Sequence, residues 1–179
     1  MARLLSALVL ISLVTATTAH AHIFAVRGDQ MIGAYAVRAD GSLAGAIRAF
    51  GEPSSRRSTF GTQACNVAWQ RHGLTIAFYN LGLGQACEPD AGRFGRAILR
   101  GEHWMTTKRL RVGESVTKLR RLYPTAKLEP GLRGFWPTGY WLLPRYSRLG
   151  EGGFYPGLLA NVRNGRIVEF QVRFAGGGD

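Results

Sequence analysis

Ser42-Leu43-Ala44-Gly45-Ala46-Ile47-Arg48-Ala49-Phe50-Gly51-Glu52-Pro53 and Ser115-Val116-Thr117-Lys118-Leu119-Arg120-Arg121-Leu122-Tyr123-Pro124 are the two stretches that decide the fold. Each opens on a serine, whose hydroxyl can accept from the free amides of a first helical turn. Leu43, Ala46, Ile47 and Phe50 then fall on one face at helical spacing, as do Val116, Leu119, Leu122 and Tyr123. Gly51 with Pro53 stops the first helix and Pro124 the second. In register, Ser42 faces Ser115, Ala46 faces Leu119 and Phe50 faces Tyr123, an offset of 73 residues (115 − 42).

Working outward, each helix follows a short alternating run, Ala34–Arg38 or Arg109–Val112, with Gly41 or Gly113 at the corner. Hairpins are expected beyond them. Asn66–Trp69 turns at Arg71-His72-Gly73 and returns as Leu74–Tyr79, while Leu158–Arg163 turns at Asn164-Gly165 and returns as Ile167–Val172. Asn-Gly between alternating runs is a strong hairpin signal, because both turn positions take positive φ. Gly139–Leu143 also reads as a strand. Short helices with one apolar stripe need a sheet face to cover. The expected fold is therefore α+β, two tandem repeats of a short helix plus antiparallel β-sheet, with residues 22–105 in the first and 106–179 in the second. About 70 residues bury little core alone, so the two repeats should pack as one unit.

The order of strand, glycine corner, serine-capped helix, aromatic stop and hairpin resembles the repeat of the secreted β-lactamase inhibitory proteins and of small outer-membrane-assembly lipoproteins. Gly41-Ser42-Leu43, Phe50-Gly51-Glu52-Pro53, Gly113-Glu114-Ser115-Val116 and Tyr123-Pro124 carry the resemblance. It implies a non-catalytic binding protein that presents a sheet surface. The chain departs from it in lacking a lipid-acceptor cysteine after the leader and in having one cysteine pair where the inhibitors carry one per repeat.

Residues 1–21 read as an export signal: Arg3, an apolar run from Leu4 to Val14, and Ala19-His20-Ala21 before the cleavage point. The run is too short to span a bilayer, and no membrane span is expected. Cleavage there leaves His22 first; cleavage after Ala19 leaves another residue. The expected location is secreted, outside the cell or in the periplasm or cell wall. Two cysteines, Cys65 and Cys87, would then form one disulfide. The 179 residues carry 46 % hydrophobic and 19 % charged side chains, which excludes a disordered tail. The charge is +12, from 23 Lys+Arg against 11 Asp+Glu. Such a chain attracts anionic surfaces in a salt-dependent way. An arginine bias also follows from GC-rich coding, so no specific nucleic-acid partner is inferred.

Catalytic signatures are sparse. The sequence contains no G-x-S-x-G, P-loop, G-x-G-x-x-G or H-E-x-x-H motif. Glu52 and Glu114 sit where helix ends explain them, and Glu102-His103 would point apart on a strand. An N-terminal His22 with His72 and His103 could hold a copper ion, or His22 could be incidental to the leader's end. Between Arg133 and Gly157, the side chains of Arg133, Phe135, Trp136, Arg145, Tyr146, Arg148 and Tyr155 are interleaved with Gly and Pro. These are residue types that dominate interfaces. The alternative is ordinary loop and core, with Tyr140 and Trp141 on opposite faces of a strand and Trp141 inside. The expected function is a non-enzymatic module, without cofactor, that binds a protein or an anionic envelope polymer. The competing expectation is a secreted metal-dependent enzyme using His22, His72 and His103.

Overall fold

The computed structural model of the chain describes residues 23–28, 30–59, 61, 63–80, 82, 84–128, 139–143 and 157–173. The expected leader, His22, and Arg133, Phe135, Trp136, Arg145, Tyr146, Arg148 and Tyr155 lie outside the described residues. Both helices form where their serines place them. Helix α1 spans Leu43–Phe50 and helix α2 Val116–Leu122. Ser42 and Ser115 are extended (φ −82° and −76°), and each hydroxyl accepts from the amide three residues on, at 3.0 Å from Gly45 and 3.2 Å from Lys118. Gly51 stops α1 with a φ of 77°, a conformation that glycine adopts without strain.

The described residues form twelve strands: β1 Phe24–Arg27, β2 Met31–Ile32, β3 Tyr35–Ala36, β4 Ser55–Thr59, β5 Ala64–Trp69, β6 Leu74–Tyr79, β7 Arg93–Leu99, β8 Trp104–Thr106, β9 Lys127–Leu128, β10 Tyr140–Leu142, β11 Leu158–Arg163 and β12 Arg166–Arg173. Eight make one antiparallel sheet in the order β4-β5-β6-β7-β12-β11-β10-β9; β3-β2-β1-β8 make a smaller one in which β1 and β8 run parallel. The chain is thus α+β, with most of its regular structure in sheet. The expected hairpins form, β5 to β6 through a 3-10 turn at Gln70–His72 and β11 to β12 through Asn164 and Gly165 at positive φ. The two proposed halves meet where β7 pairs with β12, Ile98 opposite Gln171. Ser42 bridges to Arg93 and Ser115 to Arg166. The amide of Phe94 donates to the Gly41 carbonyl, and that of Ile167 to the Glu114 carbonyl.

Two local expectations are corrected. Arg109–Val112 is the return of a tight turn and not a regular strand, with a single bridge from Arg111 to Met105: Arg109 takes a φ of 63°, and the Arg109 amide donates to the Thr106 carbonyl. Leu110 and Val112 reach the core from that turn, which accounts for their alternation. In the Ala34–Arg38 run only Tyr35 and Ala36 are strand.

One face of the large sheet carries the core. Val67, Ile76, Ala97, Val172 and Leu158 lie in register across it, with Trp69, Leu74, Leu99, Phe170 and Ala160 beside them. Leu43, Ala46 and Phe50 of α1 and Leu119 of α2 belong to the same cluster. The disulfide Cys65–Cys87 is formed and ties the β6–β7 connection to β5. Among the described residues no helix is long and apolar enough to cross a membrane.

Candidate functional site

Side chains alternate across a strand, so the registers that build the core face also define the face turned away from the helices. On that outer face Arg57, Asn66, Ala77, Arg96 and Arg173 form one row across β4, β5, β6, β7 and β12. The next row is Ser55, Ala68, Thr75, Ile98, Gln171, Leu159 and Leu142. A third is Glu169, Asn161 and Tyr140, with Arg100 beyond the end of β7.

The two halves of this face differ. Over β10, β11 and β12 it is closed, with Leu159 fully buried and Tyr140, Asn161, Glu169 and Gln171 nearly so. Over β4, β5 and β6 the floor is made of small side chains, Ser55, Asn66, Ala68, Thr75 and Ala77, with Arg57, Arg96 and Tyr79 exposed around it. Gly95 permits the Tyr79 ring to lie across β7, because a Cβ there would sit 2.2 Å from the ring.

Charge on the closed half is internally balanced. Glu169, its side chain 8 % exposed, accepts from the Tyr140 hydroxyl at 2.7 Å, Asn161 Nδ2 at 3.3 Å and Arg100 Nε at 2.8 Å. Burial works to raise its pKa, but the hydrogen bonds from Tyr140, Asn161 and Arg100 outweigh it and hold the carboxyl below its ordinary value. Tyr140 is pushed up to about 12, first by burial and then by its bond to Glu169. A carboxylate so fixed in its ionised form has no proton to give, and its three donors make it a structural anion. Arg173, half-buried beside Arg96, donates twice to Gln171 Oε1, at 3.2 and 3.1 Å. Burial and the Arg96 charge lower the Arg173 pKa.

Of the sequence-derived candidates, His72 and His103 do come together. Their rings stand 5.1 and 5.8 Å from the Phe24 ring, in a cluster with Phe50 and Trp104. His103 Nε2 donates to the His72 carbonyl at 2.8 Å, and Trp104 Nε1 donates to the same oxygen at 2.7 Å. His72 Nε2 accepts from Arg71 Nε at 3.1 Å. Burial, then the Arg71 charge, lower the His72 pKa. Glu102-His103 lies in the turn between β7 and β8, not on a strand. Glu114 pairs with Lys118 and accepts from the Arg111 amide, and Glu52 pairs with Arg56.

Tyr140 and Trp141 do point to opposite faces, but Tyr140 is the buried one. Trp141 faces the helices near the sheet edge and is half-buried, with the Arg120 guanidinium 5.0 Å above its ring. No motif in the sequence marks Arg57, Arg96, Arg100 or Glu169; only the strand registers bring them to this face. Comparison of the chain with family models, with curated proteins and with solved structures finds no match.

Proposed function

We propose that the chain is an exported, non-enzymatic module, built from two tandem helix-plus-sheet copies, that binds a protein or an anionic polymer of the cell envelope or the surrounding medium. What supports the tandem reading is one recurring offset. Ser42 and Ser115, Arg93 and Arg166, and Phe94 and Ile167 are each 73 apart (115 − 42, 166 − 93, 167 − 94) and make corresponding bridges and hydrogen bonds. Ile98 and Gln171, also 73 apart (171 − 98), oppose one another at the β7–β12 junction, where a two-fold axis relating two copies would pass.

The observation that carries the binding reading is the open half of the outer sheet face. Small side chains let a partner approach the backbone closely, and Arg57, Arg96 and Tyr79 are of the residue types that anchor interfaces. The resemblance to sheet-presenting inhibitory proteins leads to the same surface. The test is capture from envelope fractions and culture medium on immobilised protein beginning at His22, beside an Arg57→Glu, Arg96→Glu variant. A partner held by the parent and lost by the variant is expected. Equal retention by both removes the sheet face from the reading, and loss in a parallel Trp136→Ala, Tyr146→Ala variant moves the contact to that segment.

A metal-dependent enzyme using His22, His72 and His103 is favoured by one observation, the gathering of His72 and His103 at Phe24. Against it, His72 Nε2 and His103 Nε2 are already engaged by Arg71 and by a backbone carbonyl. That reading requires a single Cu(II) bound by protein beginning at His22 and lost in His103→Ala, which calorimetric titration measures.

A further inference from the structure

The two helices match in their caps and differ in their charge. The seventeen residues that end with α1, positions 34–50, carry Arg38 and Arg48 against Asp40, and Arg48 pairs with Asp40. The seventeen that end with α2, positions 106–122, carry Lys108, Arg109, Arg111, Lys118, Arg120 and Arg121 against Glu114 alone. Glu114 is already engaged, by Lys118 and by the Arg111 amide.

The fold draws these cations around one element. Lys108 Nζ donates to the Leu122 carbonyl at 3.2 Å and stands 4.9 Å from the centre of the Tyr123 ring, which sets it at the C-terminal end of α2. Tyr123 in turn donates to Thr106 Oγ1 at 2.6 Å, so the 106–111 turn runs beside the helix. At the other end Arg166 donates to the Gly113 carbonyl at 3.0 Å, and the Val116 amide donates to Gly165. Arg120 lies over Trp141 on the flank. Lys108, Arg109, Arg111, Arg120, Arg121 and Arg166 are all exposed.

Seven helical residues span about 10 Å. Six cations around so short a rod repel one another, and one small anion cannot neutralise them all. Closely spaced anions on a chain can, by displacing counterions and pairing with guanidinium groups two oxygens at a time. A bilayer surface is the poorer fit, since Leu128 is the only large apolar side chain exposed near Trp141 among the described residues. We propose that the α2 surface binds a linear polyanion whose repeating groups are phosphates, at a site separate from the outer sheet face.

The test is fluorescence anisotropy with end-labelled long-chain polyphosphate over a range of salt concentrations. It compares the parent, an Arg111→Gln, Arg121→Gln variant and an Arg57→Gln, Arg96→Gln variant of equal charge. Anionic lipid vesicles and inorganic phosphate serve as competitors, and circular dichroism is recorded for each protein. Expected are a steep salt dependence in the parent and a log–log slope reduced by about 2 in the α2 variant. The sheet-face variant should follow the parent. Equal losses in both variants, loss only in the sheet-face variant, no binding by the parent, or displacement by vesicles at lower charge concentration than polyphosphate would each overturn the proposal. Should the α2 variant lose its fold, Lys108→Gln with Arg120→Gln, which also removes two charges, replaces it with the same criterion. Because the sheet face is tested by partner capture and the helix by polyphosphate, either surface can fail without the other.

Discussion

Glu169 is the charged side chain that the fold buries among the described residues, and it is stable there because three donors converge on it. A hydrogen bond to a buried charge contributes more than a neutral one, so Tyr140→Phe should cost about 2 kcal/mol in urea unfolding. Arg100→Gln should cost less, since its side chain is 62 % exposed and solvent screens the pair. The carboxyl's folded pKa is depressed below 4.5, so its contribution is complete above that pH and is lost as pH falls through the folded value. Glu169→Gln should therefore flatten the acid limb of the stability curve below about pH 4.5. Nothing near Glu169 in sequence announces this role. It follows from the β12–β11 and β11–β10 registers, which bring together residues 140, 161 and 169.

At the level of elements, the two serine caps are chemically alike and structurally unequal. Ser42 is buried, and its hydroxyl also donates to Asp40 Oδ1 at 2.5 Å, whereas Ser115 is exposed. Ser115→Ala should cost about 1 kcal/mol and Ser42→Ala more, up to about 2 kcal/mol, because it also removes the bond to the part-buried Asp40 carboxylate; urea midpoints at constant slope measure both. The helices were legible because caps, apolar period and stop signals are all local. So were the β5–β6 and β11–β12 hairpins, whose turns lie between their strands. Strand β7 was not, since Gly95 interrupts its pattern to make room for Tyr79 and a register shift follows at Ala77/Phe78 of β6. The β1–β8 pair escaped for another reason: parallel partners 80 residues apart (104 − 24) leave no local trace. The outer sheet face is hidden because its rows depend on the registers of several strands at once. Composition alone marks the aromatic and arginine segment at 133–155, whereas a row such as Arg57, Asn66, Ala77 and Arg96 exists only through strand registers.

Across the whole molecule, two devices join parts distant in sequence, and each has its own signature. The Cys65–Cys87 disulfide closes a separation of 22 residues, so its removal should cost about 3 kcal/mol in the chain-entropy account, read as a lower melting temperature under reductant and in Cys65→Ala, Cys87→Ala. The other is the junction of the small sheet with the large one. There the His72 carbonyl receives both His103 and Trp104 from the end of the small sheet, and Phe24 of β1 packs against the His72 ring. Burial and the Arg71 charge disfavour the imidazolium, so the folded pKa lies below the unfolded 6.5. As pH falls through 6.5 the unfolded chain takes up its proton first, and stability declines until the folded value is passed. Melting temperature should thus fall between pH 7.5 and 5.5 in the parent. In His72→Asn, which keeps a small amide and does not titrate, that decline should shrink while the acid limb set by Glu169 stays. An unchanged decline in the variant would place the neutral-pH sensitivity elsewhere and leave His72 as packing alone.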